Sequence, residues 1–314
     1  MNKFIPVLLS LPILFNICIY SQACCTVGTS IANGGERGAI PVNTLSASLS
    51  IQQNILNTAY QSTQQIDDPL NRKSTVTNIN LELEYGLVNK VSILFILPYT
   101  NRTRETNVIN SETNDTEVIS FTGQGFGDII ILGKYEIIAP SILSPLGLAI
   151  GGGAKLPTGS FQIENNGTRL SIDLQPGTGA SDLLLWGHFL YGLPSIGFST
   201  NANFLYRYAG VNLDSYRYGD EFLTSVNGTY SIADFLAVNL QLKGRFAAED
   251  YWNGRFLPST GGIYIDLTPS LIYYEGNFSL RVFVQVPVYR NVKGIQLAVN
   301  EMLGTEVSYI FDFN

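Results

Sequence analysis

The sequence predicts an all-β protein: a transmembrane, antiparallel, up-and-down β-barrel of about twelve strands. Three observations favour this fold class: long segments of alternating apolar and polar residues, connections that are alternately short and long, and a low content of charge. Charged residues make up 14% of the chain, against about 25% in an ordinary soluble domain. After residue 20, no apolar run approaches the ~20 residues that a membrane helix needs. An apolar chain without such runs is typical of a membrane barrel or a secreted all-β protein.

Residues 1–23 are predicted to be a signal peptide. Lys3 supplies its positive end, residues 4–20 form a mostly apolar core, and Ser21 and Ala23 are small residues at the positions that signal peptidase reads. We therefore expect export and, for a barrel, a location in the outer membrane of a Gram-negative bacterium.

Two adjacent cysteines, Cys24 and Cys25, follow the predicted cleavage site. They admit lipidation of Cys24, because Ala23 suits the preceding position, or a strained disulfide between the two. Two thiolates are only half of a typical zinc site, so no metal site is predicted. Residues 24–43 are expected to form a short periplasmic or plug-like segment, and residues 44–314 to form the outer-membrane β-barrel.

Alternation with a period of two runs through the chain after residue 40. In residues 78–85 every second residue is apolar, and residues 236–246 and 278–288 repeat the pattern. Because successive side chains of a strand point to opposite faces, each such strand separates an apolar from a polar environment. The predicted strands span residues 44–52, 75–87, 90–100, 124–138, 145–157, 178–191, 196–209, 220–231, 235–248, 260–274, 277–290 and 302–313.

The lengths and connections of these strands favour a membrane barrel over a soluble sandwich. Most spans exceed the ~5–6 residues of an ordinary strand and reach the ~9–11 that a tilted membrane strand needs. Short turns follow the even-numbered strands and longer polar stretches follow the odd-numbered ones, as in barrels with short periplasmic turns and long outer loops. The aromatic, amphipathic residues 307–313 resemble the sorting signal of outer-membrane barrels. We therefore expect outer-membrane lipid and the barrel-assembly machinery as partners.

Glycines occupy every second position before Asp128, at Gly123, Gly125 and Gly127. A phosphate-binding loop would need a helix after its glycines, whereas residues 129–132 are a mostly β-branched apolar run that favours a strand. No nucleotide site is predicted. The glycines are expected to mark a bend or a close backbone approach where an outer loop enters a strand.

Three short glycine-rich motifs occur in order along the chain: GFGD at 125–128 followed by GKY at 133–135, KLPTG at 155–159, and PGTGASD at 176–182. Together they resemble the outer-membrane channel family linked to the meta-pathway of phenol degradation, which is similar in style to the long-chain fatty-acid transport barrels. The resemblance covers roughly residues 40–314. It implies a barrel that passes small, often hydrophobic compounds.

Alternation also nominates the residues that would line the lumen. Two interpretations stay open for the charged ones: a selectivity lining, or opposite charges that pair across adjacent strands and fill the interior. Twelve strands fall between the ~8 of a filled barrel and the ~16 of an open porin, so a narrow pore is plausible. The candidate pore-lining residues are Glu82, Glu84, Asp128, Lys134, Lys155, Asp182, Trp186, His188, Arg207, Lys243, Arg245, Asp266 and Arg281.

Some inward positions on the third to sixth predicted strands are apolar. They indicate either a path for a hydrophobic substrate or packing around an inserted segment, such as the glycine-rich stretch before residue 43. These positions are Leu94, Ile96, Ile130, Leu132, Leu184 and Trp186.

The predicted function is an outer-membrane channel that passes small molecules passively, without a cofactor. A structural or ligand-binding surface protein without transport is the alternative, because the polar outer loops could meet partners. An outer-membrane hydrolase is more remote: the single histidine, His188, would have to serve it, and no serine lies in an activating motif such as GxSxG. No enzymatic activity is therefore expected. The net charge of −7 argues against nucleic acid as a partner.

Overall fold

The computed structural model describes residues 37–109, 115–141 and 144–313. Within them, two short 3₁₀ helices, Ile172–Leu174 and Pro194–Ile196, interrupt an otherwise all-strand chain. In this described part, no helix is long and apolar enough to cross a bilayer. The strands are β1 (Thr44–Ser62), β2 (Gln64–Ile66), β3 (Lys73–Val88), β4 (Val91–Ile109), β5 (Thr116–Phe126), β6 (Ile129–Ile138), β7 (Leu146–Leu156), β8 (Glu164–Asn165), β9 (Thr168–Arg169), β10 (Asp182–Leu193), β11 (Phe198–Tyr208), β12 (Tyr216–Arg217), β13 (Glu221–Ala233), β14 (Leu236–Ala247), β15 (Tyr251–Trp252), β16 (Arg255–Phe256), β17 (Gly262–Glu275) and β18 (Phe278–Asp312).

The long strands form a closed antiparallel barrel. Their order around the wall is β18, β17, β14, β13, β11, β10, β7, β6, β4, β3 and β1, and β1 pairs with β18 to close the ring. β5 continues the line of β6, because both pair with β4. Closure pairs the backbone groups of every wall strand on both sides, which is what a sheet needs in hydrocarbon. We call the end with the short connections the turn end and the other the outer end.

The last strand, β18, runs the length of the barrel wall twice, once in each direction. β18 pairs with β17 through its first half and with β1 through its second half. The two halves also contact each other, since the Ile310 N–H donates to the Asn277 carbonyl at 3.0 Å and Thr305 Oγ1 donates to the Arg281 carbonyl at 3.2 Å. The reversal falls near Gly294, whose φ of 62° is left-handed. When the two halves of β18 are counted separately, the barrel wall has twelve strands, in agreement with the predicted number.

The side chains point into the lumen or out toward lipid as the alternation predicts. On β3, Asn80 and Glu84 are buried inside the barrel, whereas Leu81 and Tyr85 are exposed outside. The exposed outer face is apolar and suits lipid, and tyrosines lie near both of its ends, as in the aromatic girdles of outer-membrane barrels. The exposed tyrosines include Tyr85, Tyr135, Tyr191, Tyr230, Tyr273 and Tyr309 at the turn end and Tyr206, Tyr208 and Tyr289 at the outer end.

Several strands extend further than the sequence predicts. β1 ends at Ser62 rather than residue 52, β4 ends at Ile109 rather than residue 100, and β5 begins at Thr116 rather than residue 124. The added segments lie toward the outer end. Their polar and apolar residues do not alternate regularly, although the backbone ladder continues. The predicted strand over residues 124–138 is divided into β5 and β6.

Candidate functional site

The three glycine-rich motifs meet at the outer end of the lumen. Asp128 accepts hydrogen bonds from the Gly159 N–H at 3.0 Å, from the Thr178 N–H at 2.9 Å and from Thr178 Oγ1 at 2.5 Å. Lys155 lies 3.1 Å from Asp128 and 2.9 Å from Asp182, between the two carboxylates. We call Asp128, Lys155, Gly159, Thr178 and Asp182 the motif cluster; all five residues are buried. Residues from all three motifs thus form one ion-paired, hydrogen-bonded cluster.

The glycines of these motifs let three backbone segments touch. A Cβ atom on Gly159 would lie 2.6 Å from the carbonyl carbon of Gly127 and 2.8 Å from the Cα of Gly177. A Cβ on Gly123 would lie 2.0 Å from the Leu174 carbonyl oxygen. No side chain fits at these distances. The expectation of a close backbone approach is therefore confirmed.

Alternating charges continue from the motif cluster around the inner wall. Arg207 on β11 lies 3.3 Å from Asp182 and 3.2 Å from Glu221 on β13. Glu221 also pairs with Arg245 on β14. Because Arg207 and Glu221 are buried and each has two opposite charges beside it, Coulomb attraction offsets the cost of removing them from water. With Lys155 and Asp182, these charged side chains form a row of ion pairs on five neighbouring strands, β7, β10, β11, β13 and β14, which we call the ladder.

Two further ion pairs lie on other parts of the inner wall. Lys134 pairs with Glu84 at 2.9 Å and donates to the Arg37 backbone carbonyl at 3.0 Å. Asp266 pairs with Arg290, a residue that the sequence did not nominate. The remaining charged candidates, Glu82, Lys243 and Arg281, are half-buried on the inner face.

Loops fold over the outer end of the lumen. Arg102 is 4% exposed, and its Nη1 donates to the Asp173 carbonyl at 2.9 Å and the Gln175 carbonyl at 3.2 Å. These two bonds, together with the ion pair between Arg104 and Asp173, hold the 3₁₀ helix to β4. Three buried loop residues pack with two partly buried ones to form a small core over the barrel: Ala209, Tyr216, Tyr218, Ile172 and Leu257.

Asp250 joins two of these outer loops. Its carboxylate accepts hydrogen bonds from the Tyr216 hydroxyl and from the Gly219 N–H, the second at 2.7 Å. Burial raises the pKa of the Asp250 carboxyl above its ordinary value of 3.8, and the Tyr216 hydrogen bond opposes that rise. Sequence reasoning did not single out Asp250, because it lies in a loop without alternation.

A partly exposed ion pair links two outer loops and gives a pH-dependent prediction. Arg169 Nη2 lies 2.5 Å from the Asp214 carboxylate, and this hydrogen bond lowers the pKa of Asp214 below its ordinary 3.8. A lowered folded-state pKa means that the contact stabilises fully above pH 3.8 and is lost as the pH falls through the lower value. Trp252 reports on it, since its Nε1 donates to the Asp214 carbonyl at 3.2 Å.

In a Trp186→Phe background, we expect Trp252 emission to change in one step with a midpoint below pH 3.8. Arg169→Met should move that midpoint upward, because the carboxylate loses the donor that holds its pKa down. Asp214→Asn removes the titrating group and should abolish the step. A midpoint that is the same with and without Arg169 would contradict this assignment.

A buried apolar cluster lies on the inner face of the barrel. It contains the six inward apolar residues that alternation nominated, together with Ala149, Leu205 and Leu223. We call the six the apolar wall: Leu94, Ile96, Ile130, Leu132, Leu184 and Trp186, each 2–5% exposed. Large apolar side chains therefore occupy this part of the lumen. A second buried apolar cluster, Leu56, Ala59, Val76 and Leu297, lies toward the outer end.

His188 lies at the edge of the apolar wall. Its ring stacks on Trp186, with 5.8 Å between centroids and 5° between planes. Its Nδ1 shares a 2.7 Å hydrogen bond with Asn203 Oδ1. Asn203 in turn donates to Asn201 and to Ser225. In the described chain His188 therefore belongs to an amide network, and the hydrogen bond of its ring goes to a side-chain amide rather than to a nucleophilic hydroxyl.

A cavity of about 200 Å³ lies in the turn-end half of the lumen. Residues from β1, β3, β13 and β17 line it, so it is bounded by both sides of the barrel. Its charged lining is mixed: Arg37, Glu82, Glu84, Arg281 and Glu306. Both signs at one cavity do not favour ions of either charge.

Cys24 and Cys25 lie outside the described residues, as does the predicted signal peptide. Among the residues that are described, no group of three or more histidine, cysteine, aspartate or glutamate residues could hold a metal ion.

Comparison with known proteins agrees with this architecture. Residues 57–261, more than half of the chain, match the model of the family described as putative MetA-pathway of phenol degradation. The chain belongs to that family. A comparison with curated protein sequences finds no match.

A comparison with solved structures finds several similar chains. The COG4313 outer membrane channel from Pseudomonas putida F1 has a TM-score of 0.63 at 13% identity, over 87% of this chain and 97% of that chain. A FadL homologue from Pseudomonas aeruginosa has a TM-score of 0.44 at 8% identity, over 87% and 91%. The CymD monoaromatic hydrocarbon channel has a TM-score of 0.41 at 7% identity, over 88% and 90%. The similarity to the COG4313 channel shows that this chain has the same kind of β-barrel fold.

Proposed function

We propose that this protein is a channel through which small apolar molecules diffuse passively across the outer membrane. The observation that carries the proposal is the apolar wall, because six large apolar side chains face the interior of a barrel whose outer face already meets lipid. Such a surface favours an apolar solute over a hydrated ion. The family description, which names phenol degradation, and the similar fold of a protein titled an outer membrane channel support the same role.

In this proposal the charged candidates are mainly structural. Asp128, Lys155, Asp182 and Arg207 neutralise one another within the ladder, so they hold the wall together rather than attract an ion. Residues 24–43 would act as a plug at the turn end. Supporting this, the Arg37 backbone accepts a hydrogen bond from Lys134, which lies inside the barrel beside the apolar wall.

Trp186 gives a direct test of ligand entry. In a Trp252→Phe background it is the sole tryptophan, and we expect naphthalene to change its emission saturably. Leu184→Gln should weaken this response about tenfold, because the ligand would have to displace or bury an amide in the apolar wall. Leu185→Gln, one residue along and 64% exposed on the lipid face, is the matched control and should leave the response unchanged. A response that never saturates would contradict the proposal.

We also propose that the barrel-assembly machinery recognises the C-terminal half of β18. This segment presents aromatic side chains on its lipid face, with Tyr309 and Phe311 ring centroids 4.6 Å apart. Replacing both by serine should reduce the barrel assembled in cells more than the barrel refolded in detergent. Equal losses in the two would count against recognition. We assign no catalytic activity to the barrel.

A further inference from the structure

A strand with one unpaired edge lies at the outer end of the barrel. β5 pairs with β4 along its whole length, but β7 ends at Leu156, which pairs with Ile129 at the start of β6. In the described chain, no other strand therefore lies beside β5. The chain after Leu156 turns toward the motif cluster, and the Ser160 N–H donates to the Phe126 carbonyl at 3.2 Å. We call residues 116–124 of β5, which lie beyond this contact, the β5 edge.

Every second residue of the β5 edge directs its backbone N–H and C=O away from β4. The Phe126 carbonyl already points to that side, because it accepts from the loop rather than from β4. The direction of these groups alternates along an antiparallel strand, so Val118, Ser120 and Thr122 also present theirs to the outside. Among the described residues, none of these three has a backbone partner on that side.

The β5 edge lacks the features that usually protect an edge strand from pairing. Natural edge strands are commonly very short, or carry lysine, proline or a bulge. Residues 116–122, TEVISFT, contain no lysine and no proline, and they pair with β4 without a register shift. Residues 116–120 are exposed, with Val118 at 65%. The described strands outside the barrel wall are otherwise only two or three residues long.

The exposed charges of the β5 edge and its approach are acidic. Glu117 lies within the edge and Asp115 directly before it, and both are exposed. β5 itself carries no basic residue. The two arginines on the facing part of β4, Arg102 and Arg104, are instead bound to residues of the 3₁₀ helix. Because opposite charges on directly opposed residues favour strand pairing, a cationic strand suits this edge better than an acidic one.

We propose that the β5 edge is a docking site for an extended, cationic segment of another polypeptide, which adds to the barrel as an antiparallel strand. Its backbone bonds to the outward N–H and C=O groups of β5, as in other cases of strand addition. β-Branched residues of the partner lie opposite Ile119 and Phe121, and a lysine lies opposite Glu117. The antiparallel direction is preferred because that ladder is the more stable per residue.

A seven-residue peptide, acetyl-TVTVTKT-amide, is the probe. In antiparallel register with residues 116–122, its two valines lie opposite Phe121 and Ile119 and its lysine opposite Glu117. Two N-methylated forms test the backbone contact. Methyl groups on the third and fifth residues block N–H groups that face β5, whereas methyl groups on the second and fourth residues block N–H groups that face away. Binding to the refolded barrel in detergent is followed by the anisotropy of a fluorescein label on the peptide.

We expect the peptide methylated on its second and fourth residues to bind like the unmodified peptide. The peptide methylated on its third and fifth residues should bind about tenfold more weakly, as for the loss of two net hydrogen bonds. Ser120→Pro should also weaken binding of the unmodified peptide severalfold. The barrel should still fold, because this N–H faces away from β4 and an edge strand tolerates proline at such a position. Ser120→Ala keeps the N–H and is the matched control.

Glu117→Lys tests the charge and the register together. It should weaken binding of the lysine peptide about threefold, because an attractive cross-strand pair becomes a repulsive one. A peptide with glutamate in place of the lysine should bind Glu117→Lys more tightly than it binds the parent protein. Asp234→Lys makes the same change of charge at an exposed position of the turn end and should leave the binding of both peptides unchanged.

Equal binding of the two N-methylated peptides, or equal binding by Ser120→Pro and Ser120→Ala, would overturn this proposal. The absence of saturable binding to a barrel that shows the heat-dependent gel shift of a folded protein would overturn it as well. A barrel that dimerises in detergent and that Ser120→Pro returns to a monomer would also contradict it, because a second copy of this chain would then occupy the edge. Docking at the β5 edge is independent of the proposed channel function, since the partner would bind outside the lumen.

Discussion

Asp128→Ala is expected to destabilise the barrel more than any other single substitution in the lumen. The change removes the acceptor for the Gly159 N–H, the Thr178 N–H and the Thr178 hydroxyl, and it takes one of two carboxylates from Lys155. All of these groups are buried, so each lost hydrogen bond leaves a donor with neither a protein acceptor nor a water molecule to bond. Breaking a buried charged network in this way typically costs ~3–5 kcal/mol. The midpoint of the heat-dependent gel shift should therefore fall by many degrees.

Two controls make this result specific. Asp128→Asn keeps an acceptor oxygen near the Gly159 N–H and should recover part of the lost stability. Asp67→Ala removes an exposed loop carboxylate and should have little effect, as for surface substitutions in general. If Asp128→Ala unfolded at the same temperature as the parent protein, the motif cluster would not stabilise the barrel as its contacts suggest.

Arg102→Met is expected to open the outer end of the lumen. Its two hydrogen bonds to the Asp173 and Gln175 carbonyls help to hold the 3₁₀ helix against β4, and the substitution leaves only the Arg104–Asp173 ion pair between them. Bonds from a charged donor contribute roughly 1.5–3 kcal/mol each. Losing about 3 kcal/mol in total would raise the population of an open loop by about two orders of magnitude. In planar bilayers we expect larger or more frequent conductance steps than for the parent protein.

The matched control is Arg255→Met, because Arg255 is exposed in a neighbouring outer loop. It should conduct like the parent protein. Unchanged conductance in Arg102→Met, with the barrel shown to be folded by its gel shift, would mean that the outer loops do not limit passage.

The sequence predicts the membrane-embedded part of this fold well, because lipid outside and polar side chains inside impose alternation on each strand. The same physics explains where prediction ends. Beyond the bilayer the outside of a strand no longer has to be apolar, so the outer parts of β1, β4 and β5 show no regular alternation. The sequence therefore indicates loops there. The reversal within β18 is similar: residues 291–301 are strand, yet they were expected to be a connection.

The alternation of side chains along a strand predicts which residues face the lumen. It does not predict which other residues each of them contacts. Asp128 and Thr178 are fifty positions apart, and only the strand register and the folded loop bring them together. Arg102 was placed in a loop because its neighbours are polar on both faces. The signal that pointed to the motif cluster was the order of three glycine-rich motifs, and its physical cause is the contact between their backbones.

The most direct measurement of channel function is the uptake of an apolar dye by living cells. N-phenyl-1-naphthylamine fluoresces when it reaches an apolar environment, and an intact outer membrane slows its entry. A Gram-negative host expressing this barrel should take up the dye several times faster than one carrying the empty vector. Leu184→Gln should return the rate toward that of the vector at equal amounts of folded barrel. A parent protein that is assembled in the outer membrane yet leaves the uptake rate at the vector level would contradict the proposed channel.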